Sequence, residues 1–191
     1  MKTTISRRDF LKESALATMM LAGVPFIAKG NGITQKNVKV DADSLILDIE
    51  TYVGKNVEIE GDVIHICPVN GKKIKLKTAQ GNIIKIVPDG TAFQKFDKSL
   101  NKQHIHVTGQ VSEDRVERER ILQYAKNGTL LCHIDYTRCI DGAWVDKMNA
   151  SGDASKYIED MTKKLTDEMQ KTKKNYISVV KITATNVSAN A

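Results

Sequence analysis

Five short stretches of this chain alternate apolar and polar residues with a period of two, and no other feature limits the fold as strongly. Val57–Cys67 sets Val57, Ile59 and Val63 on one face and Glu58, Glu60 and Asp62 on the other. Lys72–Thr78 turns Ile74 and Leu76 inward and Lys73, Lys75 and Lys77 outward, and Ile83–Val87 follows at once. His104–Val111 turns Ile105, Val107 and Val111 inward, and Tyr176–Thr185 repeats the alternation near the C-terminus. Pro68-Val69-Asn70-Gly71, Gln80-Gly81-Asn82 and Pro88-Asp89-Gly90 supply the turns. Gly61, inside the first run, predicts a bulge or a sharp coil there.

Helical spacing marks the remainder. Ser44–Tyr52 reads as a helix capped by Asp43 or Ser44 and ended by Gly54. Thr91–Leu100, with Phe93, Phe96 and Leu100, reads as a short helix, and Arg115–Ala125 as a charged one. The run from Glu113 to Arg120 is then an exposed helix face. Thr129–Met148 has no regular period. Lys156–Lys174 reads as a long helix with Tyr157, Met161, Leu165 and Met169 on one stripe and Asp153 or Ser155 as its cap. At 191 residues the chain holds one domain of ordinary size. Three curled strands, a helix, a strand and a distant closing strand give the order of an OB-fold. The expectation is a mostly β, α+β class: an OB-fold-like five-stranded Greek-key barrel over residues 43–186. A helical insertion of about 113–175 precedes the closing strand, which pairs beside Ile83–Val87, and residues 31–42 form a linker.

The N-terminus reads as an address. Ser6-Arg7-Arg8-Asp9-Phe10-Leu11-Lys12 resembles the twin-arginine export consensus, and Ser14–Ala28 is an apolar run too short to span a bilayer. Residues 1–30 are therefore expected to be a twin-arginine signal peptide, handed to the twin-arginine export machinery, with a periplasmic product. Phe26 is bulky where a cleavage site prefers a small residue, which leaves an uncleaved membrane tether as the alternative. From Lys29 onward 25 basic residues face 21 acidic ones, a mild bias that argues little for a polyanionic partner.

The string from Val53 to Leu76, with its Gly-Lys-x-Val start, His-x-Cys step and Gly-Lys-Lys hairpin, is followed by the Val-Thr-Gly strand at Val107–Gly109. Together with the Tyr-Ile-Ser of Tyr176–Ser178, it resembles small exported OB-fold proteins carrying a twin-arginine signal. The resemblance covers roughly residues 44–185 and implies a fold and a location, not an activity. In such proteins a second Cys can precede the His-x-Cys pair by two; here that position is Val63.

Chemistry concentrates in five residues. His65 and Cys67 share a strand face, by register the apolar one bearing Val57, Ile59 and Val63 unless Gly61 resets it. Cys132, His133 and Cys139 lie in the irregular segment. If that segment covers the barrel mouth, His65, Cys67, Cys132, His133 and Cys139 form a candidate site for zinc or another soft or borderline metal, or for a small ligand. One disulfide with a free thiol, or three reduced thiols, are the other readings of three cysteines in an oxidising compartment. His104 and His106 are expected to face solvent, on the other side of the sheet from His65. Lys73, Lys75, Lys77 and Lys85 read as a solvated face, since neither strand carries an aromatic for base stacking; nucleic acid is disfavoured as a partner. No nucleophile elbow, P-loop, zinc-protease or dinucleotide motif occurs. The chain thus reads as an exported, non-enzymatic binding module, with an envelope interaction protein or a thiol redox protein as alternatives.

Overall fold

The alternating stretches are strands of one closed sheet in the computed structural model, which describes residues 37–189. In chain order the elements are β1 (Val38–Lys39), α1 (Ala42–Leu47), α2 (Ile49–Tyr52), β2 (Asn56–Ile66), β3 (Ile74–Lys77) and β4 (Ile83–Pro88). They continue with β5 (His104–Glu117), α3 (Arg118–Lys126), α4 (Gly142–Ser151), α5 (Ala154–Thr172) and β6 (Tyr176–Ala189). Neighbours run β2-β3-β4-β6-β5, and β5 pairs back to β2, which closes the barrel. β6 lies parallel to β4, with Lys85 opposite Lys181 and Ile86 opposite Ile182, and antiparallel to β5. This is the OB-fold-like α+β barrel that the period-two pattern implies, with the closing strand beside β4.

The core is the inward set of that alternation. Ile74, Leu76, Ile84, Ile86, Ile105 and Ile182 are all fully buried, and burial of such a side chain contributes about 1.5–3 kcal/mol each. Gly61 permits the coiling: a Cβ there would stand 2.7 Å from the Lys77 carbonyl oxygen. A second cluster, with Val116, Ile121, Leu165 and Met169, fills the space between the extended β5–β6 ribbon and helices α3 and α5.

Several boundaries differ from the sequence expectations. The stretch read as linker contributes β1, paired in parallel with Val57 and Glu58, and Asp41 rather than Asp43 or Ser44 caps α1 by accepting from the Ser44 N–H at 2.8 Å. Asp43 is buried instead and accepts from the Thr78 hydroxyl, the Gln80 N–H and the Asn82 amide, tying α1 to the β3–β4 turn. Thr91–Leu100 forms only a 3-10 turn at Lys98–Leu100. The Asp89 carboxylate accepts from the N–H groups of Thr91 and Ala92, and that of Asp97 from Ser99, local bonds that compete with a helix. β5 runs on to Glu117, so Glu113, Asp114 and Arg115 lie on a strand paired with β6 and not on a helix. Part of the irregular segment is α4, capped by Asp141 through the Trp144 N–H. The twin-arginine stretch lies outside the described residues. Among those residues no helix is long and apolar enough to cross a membrane.

Candidate functional site

A bulge in β2 aims the first of the five residues. Val63 pairs with Leu76, but the next pair is His65 with Lys75, so Ile64 is the extra residue. Ile66 thereby returns to the core and His65 joins Lys75 on the outer face. The sequence placed His65 on the apolar face with Val57, Ile59 and Val63; that placement is wrong, and the reset falls at Ile64 rather than Gly61. Pro68 then ends the strand, and Cys67, buried, closes the turn by donating its N–H to the Lys73 carbonyl at 2.8 Å.

A small hairpin presents the other three. Cys139 donates to the Leu130 carbonyl at 2.9 Å and Cys132 to that of Thr137 at 2.7 Å, on either side of a bridge between Leu131 and Arg138. In such a pairing Cys132 and Cys139 share the face opposite Leu131 as a diagonal pair, with α-carbons about 7–8 Å apart, at or just beyond the reach of a disulfide. All three thiols are unpaired. The tip of the hairpin is fixed to the barrel. Asp135, 2% exposed, receives Lys73 Nζ at 2.8 Å and Lys85 Nζ at 2.9 Å, while the Thr137 hydroxyl donates to its second oxygen at 2.8 Å. Asp114 extends the chain of charges, at 3.1 Å from Lys85 and 2.6 Å from Lys181. Lys73 and Lys85 are therefore not a solvated face: the insertion covers them. The paired lysines hold the Asp135 carboxyl far below the usual carboxylate range in spite of its burial.

Between the outer side of the barrel and this hairpin lies a cavity of about 330 Å³, and His65, Cys67, Cys132, His133 and Cys139 all line it. Trp144 from α4 and Tyr157 and Met161 from α5 form its apolar wall. The Trp144 and Tyr157 rings meet edge to face with centres 5.2 Å apart, and the Tyr157 hydroxyl donates to the Leu131 carbonyl at 2.9 Å. The cavity is on the flank of the barrel and not in its mouth, because the bulge turns His65 outward. That flank, between the first hairpin loop and the loop before the closing strand, is where OB-folds bind ligands.

Burial sets the charge state of the lining. The His65 and His133 rings lie 4.6 Å apart at 70°. Desolvation, then His65 and Lys75, lowers His133 to about 4; desolvation and then Lys75 lower His65. Burial raises the Cys132 thiol and pushes the Tyr157 phenol up to about 12. Near neutral pH the cavity thus presents neutral imidazoles, a protonated Cys132 and a neutral phenol. Among the described residues no three His, Cys, Asp or Glu side chains form a group able to hold a metal ion.

No family model and no curated protein matches this chain. The site is therefore read from its own geometry. Sequence reasoning singled out the five polar lining residues, and Trp144 as the apolar anchor of their segment, but neither Tyr157 and Met161 as the wall nor Asp135 as the tie to the barrel. Tyr157 and Met161 belong to the stripe of α5, whose lower half, Leu165 and Met169, fills the second core while the upper half lines the cavity. Asp135 carried no local signal at all. His104 and His106 do not reach the cavity; they lie on the outer face of β5, and the bulge puts His65 on an outer face as well.

Proposed function

We propose that this protein is an exported, non-enzymatic OB-fold binding module whose ligand occupies the cavity between the barrel flank and the helical insertion. The observation that carries the reading is the convergence of two imidazoles, three thiols and an aromatic wall on one concave space. Its volume and its mainly apolar lining with a few polar groups match a site for a small molecule. The ligand is compact and largely apolar, with a group that hydrogen-bonds to neutral imidazole or thiol. Lys73 and Lys85, which a polyanion would need, are committed to Asp135.

Trp144 is the single tryptophan and lines the cavity, so its fluorescence reports occupancy directly. Titration with a small apolar probe that is dark in the tryptophan window, such as cyclohexanol, is expected to change that emission saturably, and Tyr157→Ala to weaken the binding. Failure of any apolar probe to compete for the site overturns the reading.

The donor set favours a second reading, a soft metal ion. Three thiols, the Met161 thioether and two neutral imidazoles are the ligands such ions select. Binding would draw these side chains together from their present positions. Metal analysis of protein purified without chelator, with a count of free thiols, separates the readings: bound metal with masked thiols supports the ion. No metal and one free thiol points to a Cys132–Cys139 disulfide and an envelope interaction role.

A further inference from the structure

Further back along β2, where it pairs with β5, the two strands place two carboxylates and two imidazoles in one block. Glu60 pairs with His106 and Asp62 with His104 across the ladder, while Gly61 and Ile105 between them face the core. His104 Nδ1 lies 2.8 Å from an Asp62 carboxylate oxygen and His106 Nδ1 lies 3.5 Å from one of Glu60. The two rings, one strand repeat apart, have centres separated by 6.2 Å. From these contacts we infer that His104 and His106 are a chelating pair for a borderline divalent cation of the nickel, copper or zinc type, with Asp62 and Glu60 as their orienting partners.

The chemistry follows from the contacts. The Asp62 carboxylate at His104 Nδ1 holds the proton on that nitrogen and leaves the Nε2 lone pair free, and Glu60 stands at ion-pair range of His106 Nδ1, in the manner of the outer partners of metal-bound histidines. The span is close to that of a chelate. With metal–nitrogen bonds of about 2.1 Å, two imidazoles on one tetrahedral ion hold their ring centres about 5 Å apart. The present 6.2 Å is about 1 Å wider, a gap that rotation about the two exposed side chains closes. Two imidazoles are the whole protein ligand set, and water completes the coordination, in accord with the lack of any three-residue group. The surrounding hollow is acidic: Asp41, Glu58, Glu60 and Asp62 line it against Lys39 and Lys77. That balance attracts a cation and repels an anion. The site is independent of the cavity, since none of its four residues lines the latter.

The test is Ni²⁺ titration of the untagged full chain by calorimetry, with thermal melts to verify folding. One equivalent is expected to bind in the parent and in the Cys67→Ser/Cys132→Ser/Cys139→Ser variant alike. His104→Ala or His106→Ala alone should abolish the chelate. Asp62→Asn and Glu60→Gln should each weaken binding by roughly tenfold without abolishing it. The four residues are at the surface, so these variants keep the parent's melting temperature. Absence of binding in the parent, binding that survives His104→Ala/His106→Ala, or binding lost with the thiols overturns the inference.

Discussion

His133 and Asp135, two residues apart, respond to acid in different ranges. His133 titrates at about 4 in the fold, against about 6.5 in an unfolded chain. Between those values the unfolded state holds the extra proton, so the fold loses stability as pH falls from about 6.5 to about 4. His133→Asn is expected to flatten the melting temperature across that interval, as measured by thermal melts at half-unit steps. Asp135 acts lower. Its carboxyl is depressed in the fold, so its contribution is complete above the ordinary carboxylate pKa and drains away as pH falls below about 4. Loss of one partner from a buried pair costs about 3–5 kcal/mol, and Lys73 keeps some exposure, so Asp135→Asn is expected to cost about 2–4 kcal/mol by denaturant unfolding. It should also release the hairpin tip and shift the Trp144 emission to the red.

Among the elements, β6 carries the most consequence. It fills the gap between β4 and β5, and its first half also walls the second core with Ile177 and Val179. Removal of residues 175–191 opens both edges at once, and an unpaired edge recruits other strands. The truncated chain is expected to elute as aggregate in size-exclusion chromatography; a soluble monomer with a cooperative melt would contradict this account of barrel closure. α5 works at two ends, with Tyr157 and Met161 on the cavity and Leu165 and Met169 in the second cluster. Packing that holds the insertion in place thus also builds one wall of the candidate site.

At the scale of the molecule the design is a barrel with its loop before the closing strand enlarged into three helices and a hairpin. Asp135 fixes that insertion to the outer lysines, and the space left between insertion and barrel is the cavity. For the whole protein, replacement of Arg7 and Arg8 by Lys is expected to retain it in the cytoplasm on cell fractionation. Recovery of that variant outside the inner membrane would refute the twin-arginine reading.

The sequence by itself determined the barrel. Alternation, turn residues and the position of Gly61 are local properties, and a strand's inward set is fixed by its own period. The five polar residues of the cavity were also legible, because His and Cys are few and all three cysteines lie, each with a nearby His, in two of the three stretches that hold them. Only the tertiary structure decided which way they point. One extra residue at Ile64 reverses every side chain after it, and its only trace in the sequence is the change of apolar phase between Val63 and Ile66, too short a run to place a bulge. The docking of the insertion was equally hidden. It depends on Asp135 meeting Lys73 and Lys85 across 62 and 50 positions of chain. An aspartate in an irregular segment looks solvated until its partners arrive from the turn before β3 and from β4.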